Sequence, residues 1–179
     1  SPLDPASFRP SNGYLAETQY LFREETFNAT LGGGYYMLNQ NFEEAGFRIR
    51  ERTKHGNAYL YARQQFPSSV NWTLGLSGDF FDSAARQRTA KHANPKFGML
   101  WNISGTTVFR GAWFSTVKRS ALFNQTLEPT QVAGFNQLFD DPTRAKSERW
   151  GVGIDHRFSP VLTGGVEISQ RNIRFPVMG

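Results

Sequence analysis

The sequence contains no cysteine, which excludes a disulfide scaffold, a thiolate-ligated zinc site and a thiol nucleophile. Histidine is nearly as scarce. His55, His92 and His156 lie far apart, with no second ligand three or four positions on, so their spacing argues against a metal site. No apolar run approaches the roughly 18 residues that a membrane helix needs, and mean hydropathy is −0.50. That absence leaves membrane barrels open, because their strands alternate apolar and polar residues and average to a polar score. Disorder is excluded by what is present, namely 16 Phe, 6 Tyr and 4 Trp among 179 residues. This length suits one domain, or a piece of a larger one. A net charge of +5 permits an acidic partner without requiring one. The start, Ser1-Pro2-Leu3-Asp4-Pro5, has neither the basic residues nor the apolar stretch of a signal peptide. The chain is therefore expected to be mature or excised.

Alternation with a period of two dominates from Gly13 onward. Tyr14, Ala16, Thr18, Tyr20 and Phe22 share one face, and Phe27, Ala29, Leu31, Gly33, Tyr35 and Met37 share the next. The clearest stripe is Val70, Trp72, Leu74, Leu76, Gly78 and Phe80. Phe97, Met99, Trp101 and Ile103 follow the same rule, as do Trp150, Val152, Ile154 and Phe158, and then Leu162, Gly164, Val166 and Ile168. The chain reads as all-β, with about eight strands.

Its connections alternate in length. Short ones fall at Glu24-Glu25, Pro67-Ser68-Ser69, Ser104-Gly105 and Ser159-Pro160. Long ones are expected over about 39–56, 83–93 and 119–146. In an up-and-down meander this order places every short turn at one end and every long loop at the other, the asymmetry of outer-membrane barrels. Phe47 and Ile49 alternate with Arg48, Arg50 and Arg52, which leaves open a strand extension within the first long loop. The strands run to roughly the 9–11 residues needed to cross hydrocarbon at a tilt, against roughly 5–6 in soluble sheets. Aromatics gather near the run ends, where an interfacial girdle belongs.

Opposite the apolar stripes stand Glu17, Arg63, Asp79, Lys96, Arg110, Arg149, Asp155, Arg157, Glu167 and Arg171. In a soluble barrel these would face water; in a membrane barrel they would line a polar lumen and pair across strands. Alternation alone is the same for both. Strand length, loop asymmetry and the girdles favour the membrane form, an antiparallel up-and-down transmembrane β-barrel. Trp72, Leu74, Leu76, Met99, Trp101, Val152, Ile154, Val166 and Ile168 are then the residues expected to face lipid.

Little in the sequence points to catalysis. Gly32-Gly33-Gly34 is followed by no Lys-Ser/Thr and no helix, so it reads as a strand feature and not a phosphate loop. The acid pairs Glu24-Glu25, Glu43-Glu44 and Asp140-Asp141 sit in turns or loops, where carboxylates are usually just solvated. No Ser lies in a Gly-x-Ser-x-Gly setting. The basic clusters Arg48-Arg50-Arg52-Lys54 and Arg86-Arg88-Lys91 fall in expected loops and read as solvated or lipopolysaccharide-facing, not as a nucleic-acid surface. No catalytic residue, metal or cofactor is expected.

Asn94-Pro-Lys-Phe-Gly-Met-Leu-Trp101 resembles a strand that TonB-dependent-receptor-type barrels carry as Pro-Lys-x-Gly-x-x-Trp, and Thr107-Val-Phe-Arg-Gly-Ala-Trp-Phe114 looks like the strand that follows. The stretch from Asn124 to Asp141 resembles a motif of outer-membrane barrels attached to tetratricopeptide-repeat regions, and Gly151–Asp155 and Gly165–Arg171 continue the likeness, which covers roughly 57–176. This resemblance implies a bacterial outer-membrane barrel, normally with more strands than appear here, so residues 1–179 are expected to be a single barrel domain or a fragment of one. The chain carries neither the plug of an energy-coupled receptor nor repeat helices.

The expected function is passage of a solute or polymer through a polar lumen. The alternative is a structural or docking protein with a filled barrel whose long loops bind a partner. Expected partners are outer-membrane lipid and lipopolysaccharide, and a periplasmic or repeat-domain protein. The segment 119–146 matters most, because connections beyond roughly 12–15 residues tend to be functional or disordered, and Leu122, Phe123, Leu127, Val132, Phe135, Leu138 and Phe139 would be wasted in a solvated loop. It is expected to fold over or into the barrel mouth, with Phe135 and Phe139 buried and Asp140-Asp141 breaking the chain, as a constriction or a docking surface.

Overall fold

The computed structural model describes residues 12–44, 47–83, 88–119, 126–137 and 145–175. Eight strands form one antiparallel, up-and-down sheet. They are β1 (Asn12–Arg23), β2 (Phe27–Glu44), β3 (Phe47–Gln65), β4 (Val70–Ser83), β5 (Arg88–Ser104), β6 (Thr107–Val117), β9 (Lys146–Ser159) and β10 (Leu162–Arg174). Between β6 and β9 the chain makes a separate small hairpin, β7 (Gln131–Val132) and β8 (Phe135–Asn136). Each sheet strand pairs with its neighbour along the chain, in the order β1-β2-β3-β4-β5-β6-β9-β10. Among the described residues no ladder joins β1 to β10, so the observed pairing is that of a sheet.

Two of the three expected long loops are largely strand. The β2–β3 ladder runs on from Asn39↔Arg52 to Glu44↔Phe47, and the β4–β5 ladder reaches Ser83↔Arg88. The period-2 pattern of 47–52 is therefore a strand extension. Arg52 Nε donates to Asn39 Oδ1 across it at 3.1 Å. The result is strands of 18, 19 and 17 residues in β2, β3 and β5, well beyond the roughly 9–11 that cross hydrocarbon. On β5 the two edges behave differently. Pro95 has no N–H to give, and pairing with β6 begins only at Lys96, whereas pairing with β4 passes straight through.

The register settles which side chains share a face. One face is bare, and carries Leu31, Leu60, Leu74, Leu76, Phe97, Trp101, Trp113, Trp150, Val152, Ile154, Val166 and Ile168, all exposed. Trp72 and Met99 lie on the same face, half-buried among their neighbours. Aromatics recur there eight residues apart on four strands, as Tyr14 and Phe22, Phe27 and Tyr35, Trp72 and Phe80, and Trp150 and Phe158. The other face bears the segment 126–137 and holds most of the buried residues. One apolar cluster on it is Ala112, Phe114, Val132, Ala133 and Phe135, with Leu100 against it.

Candidate functional site on the polar face

Beyond β6 the chain leaves the sheet as Lys118 N donates to Ala145 O at 2.9 Å, which brings the start and end of the β6–β9 connection together. Within this connection, the segment 126–137 turns back over the sheet. Its tip is a two-residue hairpin turn in which Ala133 and Gly134 both have positive φ, 47° and 83°. That is the type I′ pattern, whose twist matches the flanking strands. The tip then needs room below it. A Cβ on Gly98 would come within 2.7 Å of Val132, and one on Gly151 within 2.5 Å of the Phe135 ring. These glycines let the hairpin seat directly on the backbone of β5 and β9. Phe135 is 1% exposed, with the guanidinium carbons of Arg110 and Arg149 at 4.9 and 5.5 Å from its ring centre. A desolvated cation over a ring is worth up to about 2 kcal/mol.

Those arginines are themselves held by acids on the last two strands. Arg110 donates to Asp155 at 2.8 Å and to Glu167 at 3.0 Å, and Arg149 donates to Glu167 at 2.7 Å and to Ser169 at 2.9 Å. Alternate positions on β6, β9 and β10 thus build a charge-balanced clamp around one aromatic ring.

A second network sits nearer β3 and β4, centred on Asp79, which is 2% exposed. Such a carboxylate is tolerated only when fully hydrogen-bonded and paired. It bonds to the His55 ring at 2.8 Å and accepts from Asn94 Nδ2 at 2.7 Å and Arg119 Nε at 3.1 Å. His55 is packed between the rings of Tyr36 and Phe81. Arg119 also pairs with Glu128, which accepts from the Tyr61 hydroxyl at 2.8 Å. Burial disfavours the Arg119 charge, but Asp79 and Glu128 outweigh it and raise its pKa above the ordinary guanidinium value. Gln137 closes the network, its amide donating to Pro129 O at 2.8 Å and to the Tyr61 hydroxyl at 3.3 Å. At the β1 edge, Glu17 accepts from Thr126 Oγ1 at 3.0 Å and from Leu127 N at 2.8 Å. Lys96, also buried, donates to Ser115 O at 3.0 Å.

Of the charged residues singled out in the sequence, Glu17, Asp79, Arg110, Arg149, Asp155 and Glu167 therefore hold or surround the folded-back segment. Arg157 stands apart, donating to Gly105 O at 3.0 Å beside the β5–β6 turn. Arg171 lies opposite Arg149 in the β9–β10 register. Arg63 points to the same face but is exposed. Phe139, Asp140 and Asp141 lie outside the described residues. Among the described residues there is no group of three or more His, Asp or Glu side chains placed to hold a metal.

Sequence reasoning passed over His55, Tyr61, Asn94, Arg119 and Glu128. The signal for the first three was parity. By alternation His55, Tyr61 and Asn94 fall on the same face as Asp79, with His55 and Asn94 one diagonal step from it, and a carboxylate buried there must find partners. Nothing local marks Arg119 or Glu128: they pair with each other across nine positions, and their further partners Asp79 and Tyr61 are 40 and 67 positions away. The arrangement as a whole is a chain segment latched onto a polar sheet face at three places. No protein-family model matches the chain, and no curated protein matches it in sequence.

Proposed function

We propose that the chain forms part of the wall of an outer-membrane β-barrel, and that the segment 126–137, folded onto the polar face, narrows a lumen through which a solute or polymer passes. One observation carries the reading: the sheet is inside-out relative to a soluble protein. Leu74, Leu76, Val166 and Ile168 are more than half exposed on the bare face, while Asp79, His55, Asn94 and Lys96 are nearly inaccessible on the other. A continuous exposed apolar face this wide needs a cover, and lipid is the cover that also explains the aromatic spacing. Eight residues correspond to about 26 Å along a strand and roughly 20 Å along the membrane normal at barrel tilts, which with the terminal rings approaches the roughly 25 Å apolar band. The unpaired backbone of β1 and β10 would find no water in lipid, so in this reading those edges pair within the complete barrel.

The test is residence, then conductance. The full chain is expected to need detergent and to insert into vesicles. A chain monodisperse in plain buffer would overturn the reading and point to a partner sheet over the same face. In planar bilayers, deleting 131–137 should raise single-channel conductance. The packed hairpin also favours a second reading, a filled scaffold whose loops bind a partner; a chain that inserts but never conducts, with or without the deletion, would select it.

A further inference from the structure

Every guanidinium clamped around the hairpin has an acid. Two arginines on the same face have none. Arg23 on β1 and Arg63 on β3 are opposite Asn28 of β2 in the register, one on each side, in a single cross-strand row. Two strand spacings set their backbones about 10 Å apart, within reach of two long side chains converging on one ligand. Among the described residues neither has an ionic partner, and Glu24 and Glu25 in the adjoining turn pair with neither.

The row opens onto a cleft of about 390 Å³ between β1–β3 and the folded-back segment, whose lining includes Gln19, Asn28, Thr30, Tyr61, Arg63 and Arg23, with Leu127 and Pro129 as its far wall. No carboxylate lines it. Of the acids nearby, Glu17 is held by Thr126 and Leu127 and Glu128 by Tyr61 and Arg119, while Glu24 and Glu25 lie exposed in the turn outside the lining. The cleft therefore combines two guanidinium forks without an ionic partner among the described residues, an amide and a hydroxyl, beside a wall whose neighbouring acids are already bonded.

We infer that this cleft, at the short-turn end of the polar face, binds an anionic solute carrying two oxyanion groups, a bisphosphate or dicarboxylate, with one group on each arginine. Planar guanidinium forks match such oxygens bidentately. The soluble source is favoured over a lipid headgroup because the row faces the polar side of the sheet, away from the apolar bare face. That choice of source rests on reading this face as a lumen; the site itself does not.

Inorganic pyrophosphate, titrated by calorimetry into the folded full chain, is the probe. It is done in detergent, or in buffer should the chain prove monodisperse there, so failure of the site and failure of membrane residence are read separately. Saturable binding is expected, weakened at least about tenfold in the Arg23→Gln, Arg63→Gln double variant, partly kept with Lys at both positions, and unchanged in Arg157→Gln. Absence of saturable binding, or equal affinity in the folded double variant, would overturn the site. Dihexanoyl phosphatidic acid, kept monomeric, should compete poorly; tighter binding than pyrophosphate would overturn the assignment to a soluble ligand.

Discussion

The two faces of β4 differ by one position in the sequence and by everything in environment. Trp72, Leu74, Leu76 and Phe80 project to the bare face, while Thr73, Ser77, Asp79 and Phe81 lie under or beside the folded-back segment. Packing on the bare face is lateral only, between neighbours such as Trp72 and Phe97, whose ring centres are 5.7 Å apart. On the other face the charged groups around the folded-back segment are matched to particular partners, often from far along the chain. The apolar face is left uncovered by the described residues, whereas the polar face specifies one arrangement of chain.

The sharpest way to break the contrast is to unbalance the polar side. Arg119→Met leaves Asp79 and Glu128 buried without their cation, a loss of about 3–5 kcal/mol where the surroundings stay shut. Here the loss is capped by the free energy of docking the segment, because undocking lets water reach both carboxylates. The expected outcome is loss of hydrogen-exchange protection at Gln137 N, which donates to Thr130 O, with the sheet ladders still protected. Unchanged protection would show that the hairpin and not the latch holds the segment.

The next test places one substitution on both faces. Leu76 lies midway between Trp72 and Phe80 on the bare face, and Leu15 lies on the polar face of β1 beside Glu17. Leu76→Arg should destabilise the chain in vesicles by about 2–4 kcal/mol, as for a cation at the bilayer midplane. Leu15→Arg should fall within about 0.5 kcal/mol of the parent, as surface changes do. Urea unfolding in vesicles measures both. Equal effects would remove the distinction between the faces.

Much of this was legible because a period of two is all that faces require. Stripes such as Val70–Phe80 and Trp150–Phe158 fix which residues are together, and the alternation of connection lengths fixes the meander. Strand ends were less legible. The 39–56 and 83–93 stretches are mostly polar, and polarity is how loops are recognised, yet their backbones pair in the ladders. The latch was not legible, since Arg119 and Glu128 meet Asp79 and Tyr61 only after the segment folds back. Phe135 could be noticed in the sequence, but the glycine beneath it and the two arginines beside it come from two other strands, β6 and β9.

Two glycines under and in the hairpin separate space from backbone conformation, with the smaller effects. Gly151→Ala puts a methyl 2.5 Å from the Phe135 ring, with the sheet backbone behind it, so the ring must move. Overpacking of this kind costs about 1–3 kcal/mol, and the hairpin should loosen while β9 keeps its pairing. Gly134→Ala meets nothing closer than Arg110 at 3.6 Å, but the residue has φ of +83°, where an L side chain costs about 1–2 kcal/mol. Ala133, already at positive φ, shows that the turn tolerates one such penalty, held by the burial of its methyl beside Gly98. A second has no burial to offset it. A nuclear Overhauser contact between Phe135 and Gly151 tells the variants apart. Gly151→Ala should abolish it at all temperatures. Gly134→Ala should keep it when cold and lose it on warming, and a contact kept throughout in both variants would mean that the hairpin is held chiefly by the Arg119 latch and the arginine clamp.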